Sequence, residues 1–178
     1  MSVHAFVDES ERARYMICAA VISPDDLRAA RRGLRGLLLP RQGRLHFVNE
    51  SPQRRRALLD AMRELPIRTS LYISTEKEPI ARRRAMEALL RDLLALGGQR
   101  LVIERREASQ DERERRLIAT AVQRGAAPAD LSYSHLRARD EPLLWVADAV
   151  AWAYGAGPQW RPRADPLIDH VKNVDKSR

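Results

Sequence analysis

Residues 143–154 are apolar at every position except Asp148. A helix with this pattern must be covered on every side, so the segment predicts a buried helix. It is too short to span a bilayer, which takes about 20 apolar residues, and so predicts no membrane partner. An ionised Asp148 inside it costs several kcal/mol unless an arginine, a backbone amide or a metal ion meets it. Two readings stay open here: a structural partner, or a metal or catalytic role.

The rest of the chain supplies the layers. Residues 3–7 and 15–22 read as strands joined by the polar connection 9–14. Ser23-Pro24-Asp25-Asp26 starts a helix that carries Leu27, Ala30, Leu34 and Leu37 at helical spacing. Residues 45–48 read as a short edge strand, and Ser51-Pro52 starts a second helix that runs to about Glu64. A strand at 67–74, a helix at 79–96 and a strand at 101–106 follow. Ser109 with Glu112 reads as a capping box opening the next helix. A strand at 131–137 precedes the helix of Asp148, and 166–174 is a weak tail element. The order predicts an α/β fold: a mixed β-sheet flanked by helices, with a helical insertion at 23–65 after the second strand. Residues 1–155 are expected to form a single domain, with 156–178 as a tail packed on or beside it.

Charge narrows the partners. Only Lys77, Lys172 and Lys176 are lysines among 32 basic residues, so 29 are arginines; with 24 acids the net charge is +8. A guanidinium fork grips two phosphate oxygens at once, which suits nucleic acid, although an arginine-rich proteome gives the same count without a ligand. Arg54, Arg55 and Arg56 follow a helix start and are less balanced by nearby acids than Arg82 to Arg84; with Arg31 and Arg32 they are the expected contacts to a nucleic-acid backbone. Trp160, with Arg161 and Arg163 in the loop after the last helix, is a candidate for stacking on a base. At 44% hydrophobic and 31% charged residues the chain is globular. A lone cysteine, Cys18, excludes a disulfide framework and a cysteine zinc cluster. No basic-then-apolar leader is read at the N-terminus, and a soluble cytoplasmic protein is expected.

Two further acids stand out. Asp8 ends the first apolar strand, where alternation puts His4, Phe6 and Asp8 on one face. Glu104 sits inside the apolar strand Leu101-Val102-Ile103-Glu104, a place where acids are depleted. With Asp148 these are three hard oxygen ligands drawn from distant positions, a set that suits Mg²⁺ or Mn²⁺. Two ions about 3.5–4 Å apart can activate a water and stabilise the leaving oxygen of a phosphodiester. Glu9, next to Asp8, is a candidate fourth ligand, as are Asp111 and Glu141. His135, near the end of its strand, and His46 are candidates for moving a proton.

His4-Ala5-Phe6-Val7-Asp8-Glu9-Ser10, Met16-Ile17-Cys18-Ala19-Ala20-Val21-Ile22 and Leu144-Trp145-Val146-Ala147-Asp148-Ala149-Val150-Ala151 resemble the motifs of the family called domain of unknown function 3800. That family is similar to the RNase H-like superfamily, which includes ribonucleases H, Holliday-junction resolvases and transposase cores. The resemblance implies an RNase H-like sheet with essential acids at Asp8, Glu104 and Asp148. The family motif Asp-Glu-Ser-Gly is broken here by Glu11 in place of the glycine. The implied function is a metal-dependent nuclease that uses Mg²⁺ or Mn²⁺, two ions expected, and leaves a 5′-phosphate and a 3′-hydroxyl on DNA or RNA. The alternative is a non-catalytic nucleic-acid-binding or interaction domain on the same fold. Exposed edge strands also allow a homodimer.

Overall fold

In a computed structural model, described over residues 2–175, one sheet runs through the molecule. Its six strands are β1 (Val3–Ser10), β2 (Tyr15–Ile22), β3 (Arg68–Ser74), β4 (Gly98–Glu104), β5 (Ser132–Leu136) and β6 (Ile168–Asn173), in the order β5-β4-β1-β2-β3-β6. β1 and β2 form an antiparallel hairpin with Asp8 opposite Cys18, and β3 continues antiparallel beside β2. β4 runs parallel to β1, β5 parallel to β4, and β6 parallel to β3.

Alternation along the strands splits the core in two. Phe6, Cys18, Ala20, Leu71 and Val102 face one side; Ala5, Val7, Ile17, Tyr72, Leu101 and Ile103 face the other. The first face is covered by α1 (Leu27–Arg35), α2 (Pro52–Arg63), α5 (Leu143–Gly155) and the short α6 (Arg161–Ala164). The second is covered by α3 (Ile80–Leu96) and α4 (Ala108–Gln123). α5 lies against β1 and β2 and is itself overlaid by α1, α2 and α6. That double covering is the physical reason for its all-round apolar surface. No helix among the described residues is long and apolar enough to cross a membrane.

Several helix ends follow local chemistry. Ser51 Oγ accepts from Arg54 N at 3.2 Å, with Pro52 in the first turn of α2. Gly97 closes α3 in the left-handed conformation, φ 68°. The expected Ser109 cap does not form. α4 starts at Ala108 with Glu107 at its N-cap, two residues earlier, and Asp111 in its first turn accepts from Arg106 N at 3.2 Å instead.

Two other expectations change. Residues 45–48 are not a strand: a short 3₁₀ turn spans Phe47–Asn49. Leu45 and Phe47 are buried as a strand's alternate residues would be, but they join the core around α5, and Phe47 meets the Trp152 ring edge-on at 5.4 Å. The tail holds β6, which pairs with β3 at the sheet edge. Its residues 169–173 are exposed on both faces, so it lacks the alternation that marks a half-buried strand.

Candidate metal centre

β1 presents Phe6 and Asp8 to the α5 face and Val7 and Glu9 to the α3–α4 face. β1 and β4 are in register with Val7 beside Ile103. The next position brings Asp8 beside Glu104, close enough for the Glu104 carboxyl to act on that of Asp8. Asp8 Oδ1 also accepts from Glu9 N at 2.7 Å. α5 carries Asp148 to the same place, and its charge acts on Asp8.

The electrostatics follow from this gathering. Burial pushes the Asp8 carboxyl well above the usual carboxylate range, and the charges of Glu104 and Asp148 add to the shift. Burial also raises Asp148, against the pull of the Phe47 N–H and of His46. Asp148 Oδ2 accepts that N–H at 2.9 Å. Glu104 faces Arg44 Nη1 at 3.6 Å. A cavity of about 530 Å³ opens beside Glu104, rimmed by Arg44, His46, Arg105, Arg137 and Arg139.

The donor set fits a hard divalent cation: carboxylate oxygens only, from three elements, with too little positive charge among them. A cation would relieve the repulsion that Glu104 and Asp148 exert on Asp8. The three are nevertheless a looser set than two others. Among the described residues, Asp111–Glu114–His135 and Glu9–Glu11–Glu78 each bring donor atoms within 4.8 Å of one another. A single coordination sphere therefore does not enclose Asp8, Glu104 and Asp148 as they stand; a pair of ions about 3.5–4 Å apart spans a wider ligand set.

Glu9 and His135 lie on the other face of the sheet. Successive strand residues point oppositely, so Glu9 turns away from Asp8. Its carboxylate accepts from Tyr15 Oη at 2.6 Å, meets Arg82 Nη1 at 3.0 Å and pairs with Arg106. His135 is opposite Ile103 and faces α4. Its Nε2 lies 2.7 Å from Glu114 Oε2 and 3.8 Å from Asp111 Oδ1. Arg82 closes this buried network, with Nη2 at 2.5 Å from Glu114 Oε1. The histidine on the Asp148 side is His46, held by Asn49 Nδ2 at 3.0 Å from its Nδ1.

The arginines divide in the same way. Arg31 makes a two-pronged pair with Glu141, Nη2 to Oε2 at 2.6 Å, so Glu141 is satisfied away from the metal ligands. Arg54 donates to the Leu37 carbonyl and meets Glu50 at 3.4 Å. Arg55 donates to the Phe47 and Val48 carbonyls at 2.9 and 2.6 Å. Arg32 and Arg56 are exposed. Trp160 is buried, edge-on to Trp152 at 5.3 Å, and offers no open face to a base.

No protein-family model and no curated protein matches this chain. Among solved structures, a chain of the PCNA:RNase HII complex from Archaeoglobus fulgidus is similar at a TM-score of 0.55. The match covers 92% of this chain and 75% of that one at 16% identity. At that identity the likeness is one of fold: this is a mixed six-stranded sheet flanked by helices, of RNase H-like type.

Proposed function

We propose that this chain is a divalent-metal-dependent nuclease, with Asp8, Glu104 and Asp148 holding Mg²⁺ or Mn²⁺. The observation that carries the reading is the gathering of Asp8, Glu104 and Asp148 from β1, β4 and α5, beside a cavity rimmed by arginines. The RNase HII named for the similar structure supports the same class of chemistry. The motifs around Asp8 and Asp148 support membership of the domain of unknown function 3800 family.

Bound ions would supply Lewis-acid stabilisation and a water activated near neutral pH. The chain's own residues do the rest. Arg44, Arg105, Arg137 and Arg139 grip phosphate oxygens at the cavity rim. His46, half-buried beside Asp148, carries a proton to the leaving oxygen. The Phe47 N–H fixes Asp148 so that its second oxygen stays available.

The test is cleavage of DNA, RNA and hybrid substrates with Mg²⁺ or Mn²⁺ and with EDTA. Wild type is expected to cut at least one substrate only with metal, and Asp8→Asn and Asp148→Asn to lose at least 100-fold. Equal cleavage by all three proteins would remove the assignment.

A further inference from the structure

One turn beyond Asp148 on α5 lies Trp152, and a second groove of about 760 Å³ opens over it. Four arginines line this groove: Arg12 from the β1–β2 turn, Arg55 and Arg56 from the first turns of α2, and Arg163 from α6. No acid is among its lining residues. Of these four arginines Asp60 reaches only Arg163, and at 3.9 Å.

The arginines crowd one ring. Arg55 lies 4.1 Å and Arg12 4.6 Å from the Trp152 ring centre. Their charges repel, and the Arg55 guanidinium is pushed below its ordinary pKa by burial and by Arg12. An anion between them turns that repulsion into attraction. Trp152, which lines the groove, has a buried Nε1 without a hydrogen-bond partner among the described residues. The positive end of the α2 dipole also faces this region through Pro52.

The groove is tied to the metal centre by one residue. Phe47 N–H donates to Asp148, and the Phe47 carbonyl accepts from Arg55 Nε. We propose that this groove binds the phosphodiester backbone of the substrate strand, at a phosphate flanking the bond that is cut. The inference rests on the nuclease reading, but its binding step needs no metal. The buried, edge-on Trp160 makes it a grip on phosphate rather than on bases.

The experiment measures binding of a short fluorescein-labelled single-stranded oligonucleotide in EDTA across a salt series. The groove variant combines Arg12→Gln, Arg56→Gln and Arg163→Gln, all exposed side chains. A control with the same charge change combines Arg91→Gln, Arg113→Gln and Arg124→Gln, which line the groove between α3 and α4. The groove variant is expected to bind about 10- to 100-fold more weakly at low salt. The slope of its log K against log salt should be shallower by about two, near 0.7 for each single-strand phosphate that an arginine no longer neutralises. The control should stay within about threefold of wild type, and all three should share one unfolding midpoint. Equal weakening in both variants, unchanged binding by the groove variant, or no binding by wild type would each overturn the proposal. Cleavage by Asp8→Asn tests the nuclease reading separately: loss of cutting there, with unchanged binding by the groove variant, discards the groove alone.

Discussion

The backbone N–H of Phe47 donates to Asp148 Oδ2 at 2.9 Å across a separation of 101 residues. It is the amide that a buried carboxylate in an apolar helix requires, and it satisfies only one of the two oxygens. The other oxygen lies in a neighbourhood made more negative by Glu104. The contact thus answers the desolvation of Asp148 in part and leaves the site short of positive charge.

That shortage has a stability signature. Burial raises both Asp8 and Asp148, so the folded state binds protons more tightly than the unfolded chain does. Metal-free stability therefore falls as pH rises from the unfolded carboxylate range, about 4, through the raised folded values. Asp8→Asn carries no charge to penalise. In EDTA at neutral pH it should be more stable than wild type by about 0.5–2 kcal/mol, as often happens when a functional-site residue is neutralised. The gain should fade toward about pH 4. Urea or thermal midpoints at both pH values check this; a less stable Asp8→Asn at neutral pH would count against the site.

Metal should reverse the order. At Mn²⁺ a hundredfold above its Kd, wild type should gain about 2.7 kcal/mol, a midpoint shift of roughly 5–11 °C. Asp8→Asn should gain little. Differential scanning fluorimetry with and without Mn²⁺ reads both, and an equal shift in the two proteins would point to a different binding place.

Arg82 holds the opposite face together. It is 12% exposed and meets Glu114 at 2.5 Å and Glu9 at 3.0 Å, with Glu78 at 3.4 Å on its own helix. Arg82→Ala leaves Glu114 with only His135, and Glu9 with only Arg106 and Tyr15, and should cost about 1–3 kcal/mol in denaturant unfolding. A loss below about 1 kcal/mol would show the network to be dispensable.

The two histidines should separate. His46→Ala is expected to slow cleavage about 10- to 100-fold, at the low end for a general acid on a turn, with stability nearly unchanged. His135→Ala should cost about 1–3 kcal/mol by removing the partner of Glu114 Oε2, with the cleavage rate per folded molecule preserved. Single-turnover rates and unfolding curves on both variants distinguish the roles; the reverse pattern would move the chemistry to the other face of the sheet.

The sequence reveals some of this arrangement more readily than the rest. α5 is legible because covering on both sides demands an apolar surface all round, which makes Asp148 conspicuous. Asp8 and Glu104 are legible as acids in apolar strands, and strand alternation already separates Asp8 from Glu9. The face of His135 is not, because it depends on the pairing of β5 with β4. Arg31, Arg54 and Arg55 look like surface charge in sequence, yet their partners Glu141, the Leu37 carbonyl and the Phe47 carbonyl are set by tertiary packing. β6 is hard to see because an exposed edge strand carries little hydrophobic pattern.

If Asp8, Glu104 and Asp148 hold the catalytic cations, a crystal of this protein soaked in Mn²⁺ and measured for anomalous scattering should show a peak among those three carboxylates, with ligand distances near the 2.1 Å typical of small hard divalent cations. An empty site there, with a peak at Asp111, Glu114 and His135 instead, would overturn that assignment.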